Sequence, residues 1–409
     1  AVDLSWHWRR QTRTGIVFRN HRGISGLAGS LLNRWRSEYR NVGPVRTGAS
    51  VQFTPLPPNR GVPAGPTSQY SRRPAGLLAA LGHWLRRLLV TGCLLPLLIA
   101  CSDDASLQTL RVGVLEYGTV NWELTVIRER GLARERGIRL ELLPMASESA
   151  MTEALADDRV DLIVSDWLWA ARQRASGQRY QFAPYSLAVG AVMVNPGADI
   201  DELADLVDRD IGIAGGRLDK TWLLLRAYAD RQASMDLETR VRPRFESPPT
   251  VNQMMLDGEL PAAINYWHYN ARLQALGMSP LITLGELFSE LGVATSPPVL
   301  GWVFKQDWAE AKAPLLQDFL AASFEAKSIL AASDMPWQGI RELVKPETRA
   351  VFAAIREGYR EGIPREYGPA QIEAAEQVFD ILAAEAGEEL AGELDTLPDD
   401  LFWPGFRLP

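Results

Sequence analysis

The sequence predicts an α/β protein with two similar doubly wound lobes, and three observations support this. Residues 152–177 and 252–277 align without a gap at a spacing of 100 residues, with Trp167 matched by Trp267. The match extends upstream, where Trp122 is answered by Trp222. Short apolar runs alternate with helical patterns, which is typical of parallel, doubly wound sheets. Finally, 409 residues give room for two domains that each bury a core.

The elements of the two lobes follow the same order. In the first lobe we expect strands over residues 110–114, 138–145 and 160–165, and helices over 121–130, 148–155 and 168–175. In the second lobe we expect strands over 210–214, 241–246 and 260–265, and a helix over 221–229. A capping-box pattern at 250–253, after two prolines, predicts the start of a further helix.

Two apolar runs, 186–195 and 296–304, are predicted to carry the chain between the lobes. From residue 312 onward the pattern is helical, and its apolar stripes indicate core packing. The predicted division is therefore 109–190 together with 300–409 as the first lobe, and 191–299 as the second.

The segment before the lobes has the pattern of an export signal. Residues 81–100 are expected to be a signal peptide, because Arg86 and Arg87 precede an apolar stretch too short to span a bilayer comfortably. The stretch ends at Ala100-Cys101, which resembles the bacterial lipobox and implies lipidation of Cys101 and an exported, membrane-tethered protein. The alternative is a short buried helix with an incidental cysteine.

Residues 1–80 are rich in Arg, Gly, Pro and Ser and show no clear periodicity. They are expected to be either upstream sequence that is not part of the native protein or a disordered basic arm. This region contains no lysine and only two acids, Asp3 and Glu38, whereas the whole chain has a net charge of −7. The rest of the chain is therefore strongly acidic, which argues against nucleic-acid binding.

The residue types in the sequence also argue against several site chemistries. Cys93 and Cys101 are the only cysteines, so a disulfide framework is excluded. His268 is the only histidine after residue 100, which disfavours a His/Cys metal site. The nucleophile-elbow and zinc-protease motifs are missing. We therefore expect a protein without a cofactor or metal and without catalytic residues, in which His268 has a core or surface role.

Ligands of open α/β sheets bind beyond the carboxyl ends of strands, beside helix N-termini. Four segments meet this description, and each contains a tryptophan. They supply the predicted ligand-binding residues Gly118, Thr119, Asn121, Trp122, Ser165, Asp166, Trp167, Gly215, Gly216, Asp219, Lys220, Thr221, Trp222, Asn265, Tyr266 and Trp267.

Alternatives stay open for several of these residues. The tryptophans could pack the lobes, and Thr119 or Asn121 could cap a helix. Asp166 and Asp219 could be helix caps or could counter a ligand ammonium, and Lys220 could be a solvated surface charge. Because large aromatic side chains stack on planar groups or hold cations, a ring-bearing or cationic ligand is favoured over a bare oxyanion.

Four segments within residues 110–332 carry a resemblance to a known family. They read LRVGVLEYGTVNWELTVIRERGLARERGIRLELL (110–143), ALADDRVDLIVSD (154–166), VMVNPGADIDELADLVDRDIGIAGG (192–216) and MLDGELPAAINYW (255–267). This part of the chain resembles periplasmic substrate-binding proteins of the nitrate/sulfonate/taurine and thiamine-pyrimidine-precursor type.

The resemblance implies the type II periplasmic-binding-protein fold, with C-terminal helices and two hinge crossings near 190–195 and 298–302. It also implies a monomer that closes on a small organic ligand and delivers it to an ABC permease. Some relatives are pyrimidine-forming enzymes, but their Cys-rich signature is missing here. An exported enzyme on this scaffold and a ligand-sensing lipoprotein are the alternatives.

Overall fold

The computed structural model describes residues 107–188 and 190–408. The predicted extension, the signal peptide and Cys101 lie outside the described residues. Within the described part of the chain, no helix is both long enough and apolar enough to cross a membrane.

In the described part of the chain, ten strands form two five-stranded sheets with equivalent strand orders. The strands are β1 Gln108–Leu115, β2 Ile138–Met145, β3 Leu162–Asp166, β4 Tyr180–Ser186, β5 Ala191–Val194, β6 Asp210–Ala214, β7 Arg242–Glu246, β8 Ala262–Asn265, β9 Ser279–Thr283 and β10 Leu300–Lys305. One sheet has the order β2-β1-β3-β10-β4 and the other β7-β6-β8-β5-β9. The first three strands of each sheet are parallel, while β10 and β5 run antiparallel to their neighbours.

Helices cover both sheets. They are α1 Val120–Arg130, α2 Glu148–Ala156, α3 Trp167–Ala175, α4 Lys220–Ala233, α5 Leu237–Arg240, α6 Pro248–Leu256, α7 Trp267–Ala275, α8 Leu284–Glu290, α9 Gln306–Ala311, α10 Ala313–Ala332, α11 Met335–Gly339, α12 Arg341–Val344, α13 Arg349–Glu361, α14 Pro369–Ala386 and α15 Glu388–Ala391. Short 3₁₀ turns occupy Arg134–Arg136 and Leu203–Leu206. The prediction of an α/β protein with two similar lobes is confirmed.

The sheets show where the chain changes lobe. It leaves the first sheet after β4, builds β5–β9, and returns to the first sheet as β10. The strands of these three segments lie within 108–186, 191–283 and 300–305, and the lobe boundaries taken from the sequence stay a prediction. We therefore use first lobe and second lobe for the elements of these two sheets.

The C-terminal helices contact both lobes. Helix α13 packs along α7 of the second lobe and also touches α10, which lies on α1 of the first lobe. Helix α14 packs against α4 of the second lobe. Assigning all of 300–409 to the first lobe stays a prediction, because α13 contacts elements of both lobes and α14 packs against the second.

One helix start differs from the prediction. Helix α6 begins at Pro248 with Ser247 as its N-cap, two residues before the capping-box pattern at 250–253. The Ser247 hydroxyl lies 2.7 Å from the Thr250 hydroxyl. Proline is tolerated in the first turn of a helix, because the N–H that it lacks would have no intrahelical acceptor there. Both prolines therefore fit inside α6.

Candidate functional site

The first crossing between the lobes is tightly packed. A Cβ added to Gly190 would lie 2.6 Å from the carbonyl oxygen of Asn265, at the end of β8. Just before it, the Leu187 amide donates to the Gly362 carbonyl at 2.8 Å, and Ser186 Oγ donates to the same oxygen at 3.2 Å. The end of α13 therefore holds the predicted hinge beside the carboxyl end of a second-lobe strand.

Aromatic rings connect the lobes beside this crossing. Trp122 of α1 meets Trp267 of α7 edge to face, with ring centroids 5.9 Å apart. Trp337 and Tyr359 pack on the same Trp122 ring at 6.0 and 6.4 Å. Gly358 lets Trp267 approach α13, since a Cβ there would lie 3.3 Å from the indole. We call this group the aromatic contact; it joins the first helix of one lobe to the helix after β8 in the other.

A buried ion pair supports the aromatic contact from inside the first lobe. Lys327 of α10 pairs with Glu123 of α1, and both side chains are almost fully buried. Ser323 Oγ donates to the same carboxylate at 2.5 Å, and Tyr359 Oη donates to it at 3.1 Å. Lys327 Nζ also lies 3.7 Å from the centre of the Tyr185 ring. Burial lowers the pKa of Lys327. The charge of Glu123 acts to raise this pKa but does not outweigh the effect of burial.

The second connection between the lobes is ionic. Lys220, the first residue of α4, places its Nζ 3.0 Å from Oδ2 of Asp166, at the end of β3. The other oxygen of Asp166 accepts from the Trp169 amide at 2.8 Å and caps α3. About a quarter of each side chain is exposed, 26% for Lys220 and 24% for Asp166. We call this pair the ionic contact.

Further carboxylates surround the ionic contact. Burial raises the pKa of Asp219 to about 6, while its hydrogen bond from the Trp222 amide at 3.0 Å works in the other direction. Burial lowers the pKa of Lys220, but the charges of Asp166, Asp219 and Glu148 outweigh it and the net pKa is raised.

Two of the same carboxylates also affect the pKa of Tyr266. Burial, together with the charges of Glu148 and Asp219, raises the pKa of its hydroxyl to about 12. Tyr266 is 39% exposed and directly precedes Trp267. Tyr266 therefore lies close both to the carboxylates and to the aromatic contact.

Trp167 and Trp222 lie in the hydrophobic interior and not on a cleft wall. Neither has exposed surface, and both belong to the apolar cluster that includes α14. Their Nε1 atoms are buried without a hydrogen-bond partner among the described residues. Full burial favours the packing alternative for these two tryptophans, and their assignment to the ligand stays a prediction.

The polar residues of the β1–α1 loop serve the loop itself. Asn121 Nδ2 donates to the carbonyl of Leu115 at 2.7 Å and to that of Gly118 at 3.0 Å. Thr119 precedes α1 but makes no side-chain capping bond. Thr119 is therefore the N-cap residue of α1 by position, although its side chain makes no capping bond, and Asn121 braces the turn.

The corresponding polar residues of the second lobe are also engaged. Asn265 is buried; its Nδ2 donates to the Pro248 carbonyl at 3.0 Å, and its Oδ1 accepts from the Tyr266 amide at 2.8 Å. Thr221 is buried on α4, with its Oγ1 3.2 Å from the position of a Cβ on Gly190. Both residues position the crossing, so their assignment to the ligand stays a prediction.

The remaining predicted residues lie at the carboxyl ends of strands. Gly215 and Gly216 follow β6 with φ of +96° and +84°, a conformation that favours glycine. Ser165 lies opposite Gly301 at the point where β10 returns to the first sheet. These positions place the three residues at the same sheet edges as the ionic contact.

His268, for which a core or surface role was expected, is half-buried on α7. Its ring packs among aromatic neighbours. The ring centroid lies 4.5 Å from that of Tyr269 and 5.7 Å from that of Trp267. Burial, with the nearby charge of Arg272, lowers its pKa to about 4. The imidazole is therefore neutral at physiological pH.

The prediction missed three residues of the site region, namely Glu148, Trp337 and Tyr359. Glu148 opens α2, and the strand–helix pattern alone would place it beside the cleft. Trp337 and Tyr359 come from helices that have no counterpart in the repeat. A search confined to the repeated segments could not find them.

An open depression of about 730 Å³ lies elsewhere on the second lobe, at the amino ends of β6 and β8. Arg242 and Asp210 on its rim already pair with each other at 3.0 Å. Because ligands of such sheets bind at the carboxyl ends of strands, we retain the cleft between the lobes as the candidate site.

No family model matches the sequence, and no curated protein matches it. Solved structures do share the fold. The periplasmic aliphatic sulphonate binding protein SsuA from Escherichia coli superposes with a TM-score of 0.55 at 17% identity, over 68% of this chain and 92% of that one. The alkanesulfonate-binding protein SsuA from Xanthomonas axonopodis pv. citri bound to MOPS gives 0.53 at 17% identity, over 72% and 98%.

An ABC transporter structure from Parabacteroides distasonis gives a TM-score of 0.54 at 13% identity, over 72% of this chain and 98% of that one. At such identities the likeness establishes architecture, because one fold hosts many functions. The chain therefore has the two-lobed fold of periplasmic binding proteins.

Proposed function

We propose that the protein is an ABC-transporter solute-binding protein that holds a small, ring-bearing organic cation between its lobes and delivers it to a membrane permease. Structures of this fold include two named as sulfonate-binding proteins and one named as an ABC transporter. The proposal also includes export, attachment to the membrane through a lipid on Cys101, and a monomeric state. We propose binding rather than catalysis.

The charge of the cleft carries the choice of a cation. Three carboxylates, on Asp166, Asp219 and Glu148, act on a single ammonium, that of Lys220. Even with Asp219 partly protonated near its pKa of about 6, negative charge exceeds positive charge. An anion would meet net repulsion there, whereas a cation would gain carboxylate partners.

The helix N-termini support the same choice. Free N–H groups at helix starts are the usual holders of oxyanions. Here Ser147 Oγ accepts from the third residue of α2 at 3.2 Å, and Asp166 and Asp219 do the same for α3 and α4. The protein's own oxygens, two of them charged, therefore hold positions where a sulfonate would otherwise bind. Helices α1 and α7, whose N-caps are Thr119 and Tyr266, lack a side-chain capping bond, and an anion in the cleft would have to bind at one of these two starts.

The aromatic side of the cleft supports a ring-bearing ligand. Tyr266 is partly exposed, and its hydroxyl feels the charges of Glu148 and Asp219. Trp267 follows it and is only half-buried. A cation with a planar group could place the ring against these side chains while its charge faces the carboxylates.

Isothermal titration calorimetry of the full chain with two probes of equal size tests the proposal. We expect benzylammonium to bind at least about ten times more tightly than benzenesulfonate at low salt, because reversing the ligand charge reverses its interaction with the carboxylates. Trp267→Ala should weaken benzylammonium binding. Trp308→Ala, which removes another half-buried tryptophan from α9, should not.

Two results would contradict the proposal. Tighter binding of benzenesulfonate would reject the cationic ligand and favour an anion at the start of α1 or α7. Chemical conversion of a bound probe would favour the exported enzyme.

A further inference from the structure

The ionic contact joins two lobes, whereas the ion pair between Lys305 and Asp158 lies within one lobe. Lys220 belongs to the second lobe and Asp166 to the first, and their charged atoms are 3.0 Å apart. By contrast, Lys305 pairs with Asp158 at 2.7 Å inside the first lobe. The exposed fractions of the two lysines are nearly equal, 26% and 27%. The two lysines are therefore matched in exposure, whereas Asp158 is 77% exposed against 24% for Asp166, and only the pair of Lys220 connects the lobes.

Asp166 has two separate uses in this position. Its Oδ1 caps α3 through the Trp169 amide, and its Oδ2 faces the second lobe and receives Lys220. The cap is internal to the first lobe and needs no partner from the second. Oδ2 of Asp166, which accepts from Lys220, is the oxygen that a molecule in the cleft could reach.

The position of Lys220 is also suited to a foreign ammonium. Besides Asp166, the carboxylates of Asp219 and Glu148 act on its charge. An ammonium on a ligand would meet the same three carboxylates. Two cations in this space would repel each other, so the lysine and a cationic ligand compete for one set of acids.

We propose that Lys220 is an autoinhibitory latch: in the ligand-free protein its ammonium takes the Asp166 oxygen that a cationic ligand would use, and it holds the two lobes together. A ligand displaces the ammonium from Asp166 before it binds. Lys220 thereby sets a threshold of affinity and disfavours weakly bound cations. The competition rests on the proposed function, but the mechanical role of the pair does not.

The mechanical role is measured first, without any ligand. Glu153→Cys and Asp230→Cys place spin labels on exposed sites of α2 and α4, in a Cys93→Ser, Cys101→Ser background of the full chain. Double electron–electron resonance then gives the distance distribution between the lobes. Lys220→Met keeps the length of the side chain but removes its charge, and we expect a population with longer distances. Lys305→Met removes the intralobe pair and should leave the distribution unchanged.

The competition is measured by calorimetry with benzylammonium. Lys220→Met should bind it about 5 to 20 times more tightly than the unmodified chain, and Lys305→Met should bind it equally well. Asp166→Asn should lose affinity, although it also breaks the latch, because it removes a carboxylate that the ligand needs.

The two measurements separate the latch from the proposed function. An unchanged distance distribution in Lys220→Met overturns the latch. Weaker benzylammonium binding by Lys220→Met overturns the competition, since the lysine would then assist the ligand. If no variant binds benzylammonium while the distances lengthen, the cationic ligand is rejected and the mechanical latch stands.

Discussion

The two contacts between the lobes occupy related places in the repeat but use opposite chemistry. The aromatic contact joins the first helix of the first lobe, through Trp122, to the helix after β8, through Trp267. The ionic contact joins the equivalent helices with the lobes exchanged. Asp166 lies at the start of α3 in the first lobe, and Lys220 lies at the start of α4 in the second. Two similar lobes facing each other produce two such crossings. One became apolar and the other charged.

The difference teaches which side can open. Behind the aromatic contact lies a buried ion pair of Glu123 and Lys327, tied to α13 through Tyr359. Separating the lobes there would expose aromatic surface. On the other side a quarter-exposed pair closes the cleft, and water can replace each partner. We therefore expect the aromatic side to act as a permanent joint and the ionic side to act as the mouth.

Removal of Lys327 should have the largest effect on stability. Lys327→Met leaves Glu123 buried without its ionic partner, and we expect a loss of about 3–5 kcal/mol of unfolding free energy. The double variant Glu123→Leu, Lys327→Met should recover most of this loss. Urea denaturation monitored by circular dichroism measures both. A single variant that costs less than about 1 kcal/mol would show that the buried pair does not support the joint.

Truncation of the joint's tryptophans comes next. Trp122→Ala should cost about 3–5 kcal/mol, because it empties a nearly closed site in the first lobe. In a double-mutant cycle with Trp267→Ala, the two rings should show a coupling of about 0.5–1.5 kcal/mol. The equivalent cycle between Trp222 and Trp267 is the control and should show almost none. Equal couplings in the two cycles would contradict a specific contact across the lobes.

The raised pKa of Asp219 predicts that the stability of the protein depends on pH. Its folded pKa of about 6 lies above its unfolded value, so the folded state holds the proton longer and stability falls as pH rises from about 4 to 6. Asp219→Asn can still cap α4 and removes this loss. At pH 7.5 it should be more stable than the unmodified chain by roughly 1–3 kcal/mol.

Near pH 4 the two proteins should unfold alike. Thermal unfolding across pH 4–8 gives the comparison. A stability difference that is constant across this range would show that the carboxyl of Asp219 does not titrate with a raised pKa.

The ionic contact should have the smallest energetic effect. A double-mutant cycle of Asp166→Asn and Lys220→Met should give a coupling of about 0.5–1 kcal/mol, because both side chains are partly exposed. The coupling should shrink between 0.05 and about 0.5 M salt, as screening shortens the reach of the charges. A coupling above about 3 kcal/mol, insensitive to salt, would make this side a second permanent joint.

Much of the fold could be predicted because the repeat and the hydrophobic periodicity report local structure. Strand β2 was predicted at its observed bounds, and α1 differs by one residue. Strands β4 and β9 occupy equivalent edges of the two sheets, but they were not predicted because both follow the aligned segments 152–177 and 252–277.

The candidate site was harder to predict because burial depends on distant segments. Equivalent tryptophans look alike in the repeat, yet Trp167 is fully buried and Trp267 is only half-buried. The pairing of Asp166 with Lys220 depends on how the two lobes face each other, which local periodicity does not encode. Tyr359 lies outside the repeat altogether.

Mass spectrometry of the molecule that co-purifies with the full chain tests the central claim most directly. The protein is isolated under native conditions, and the released small molecule is identified together with its charge state. We predict an organic cation with a planar ring, present on the unmodified chain and depleted on Trp267→Ala. A sulfonate or another anion, bound equally by both proteins, would contradict the account.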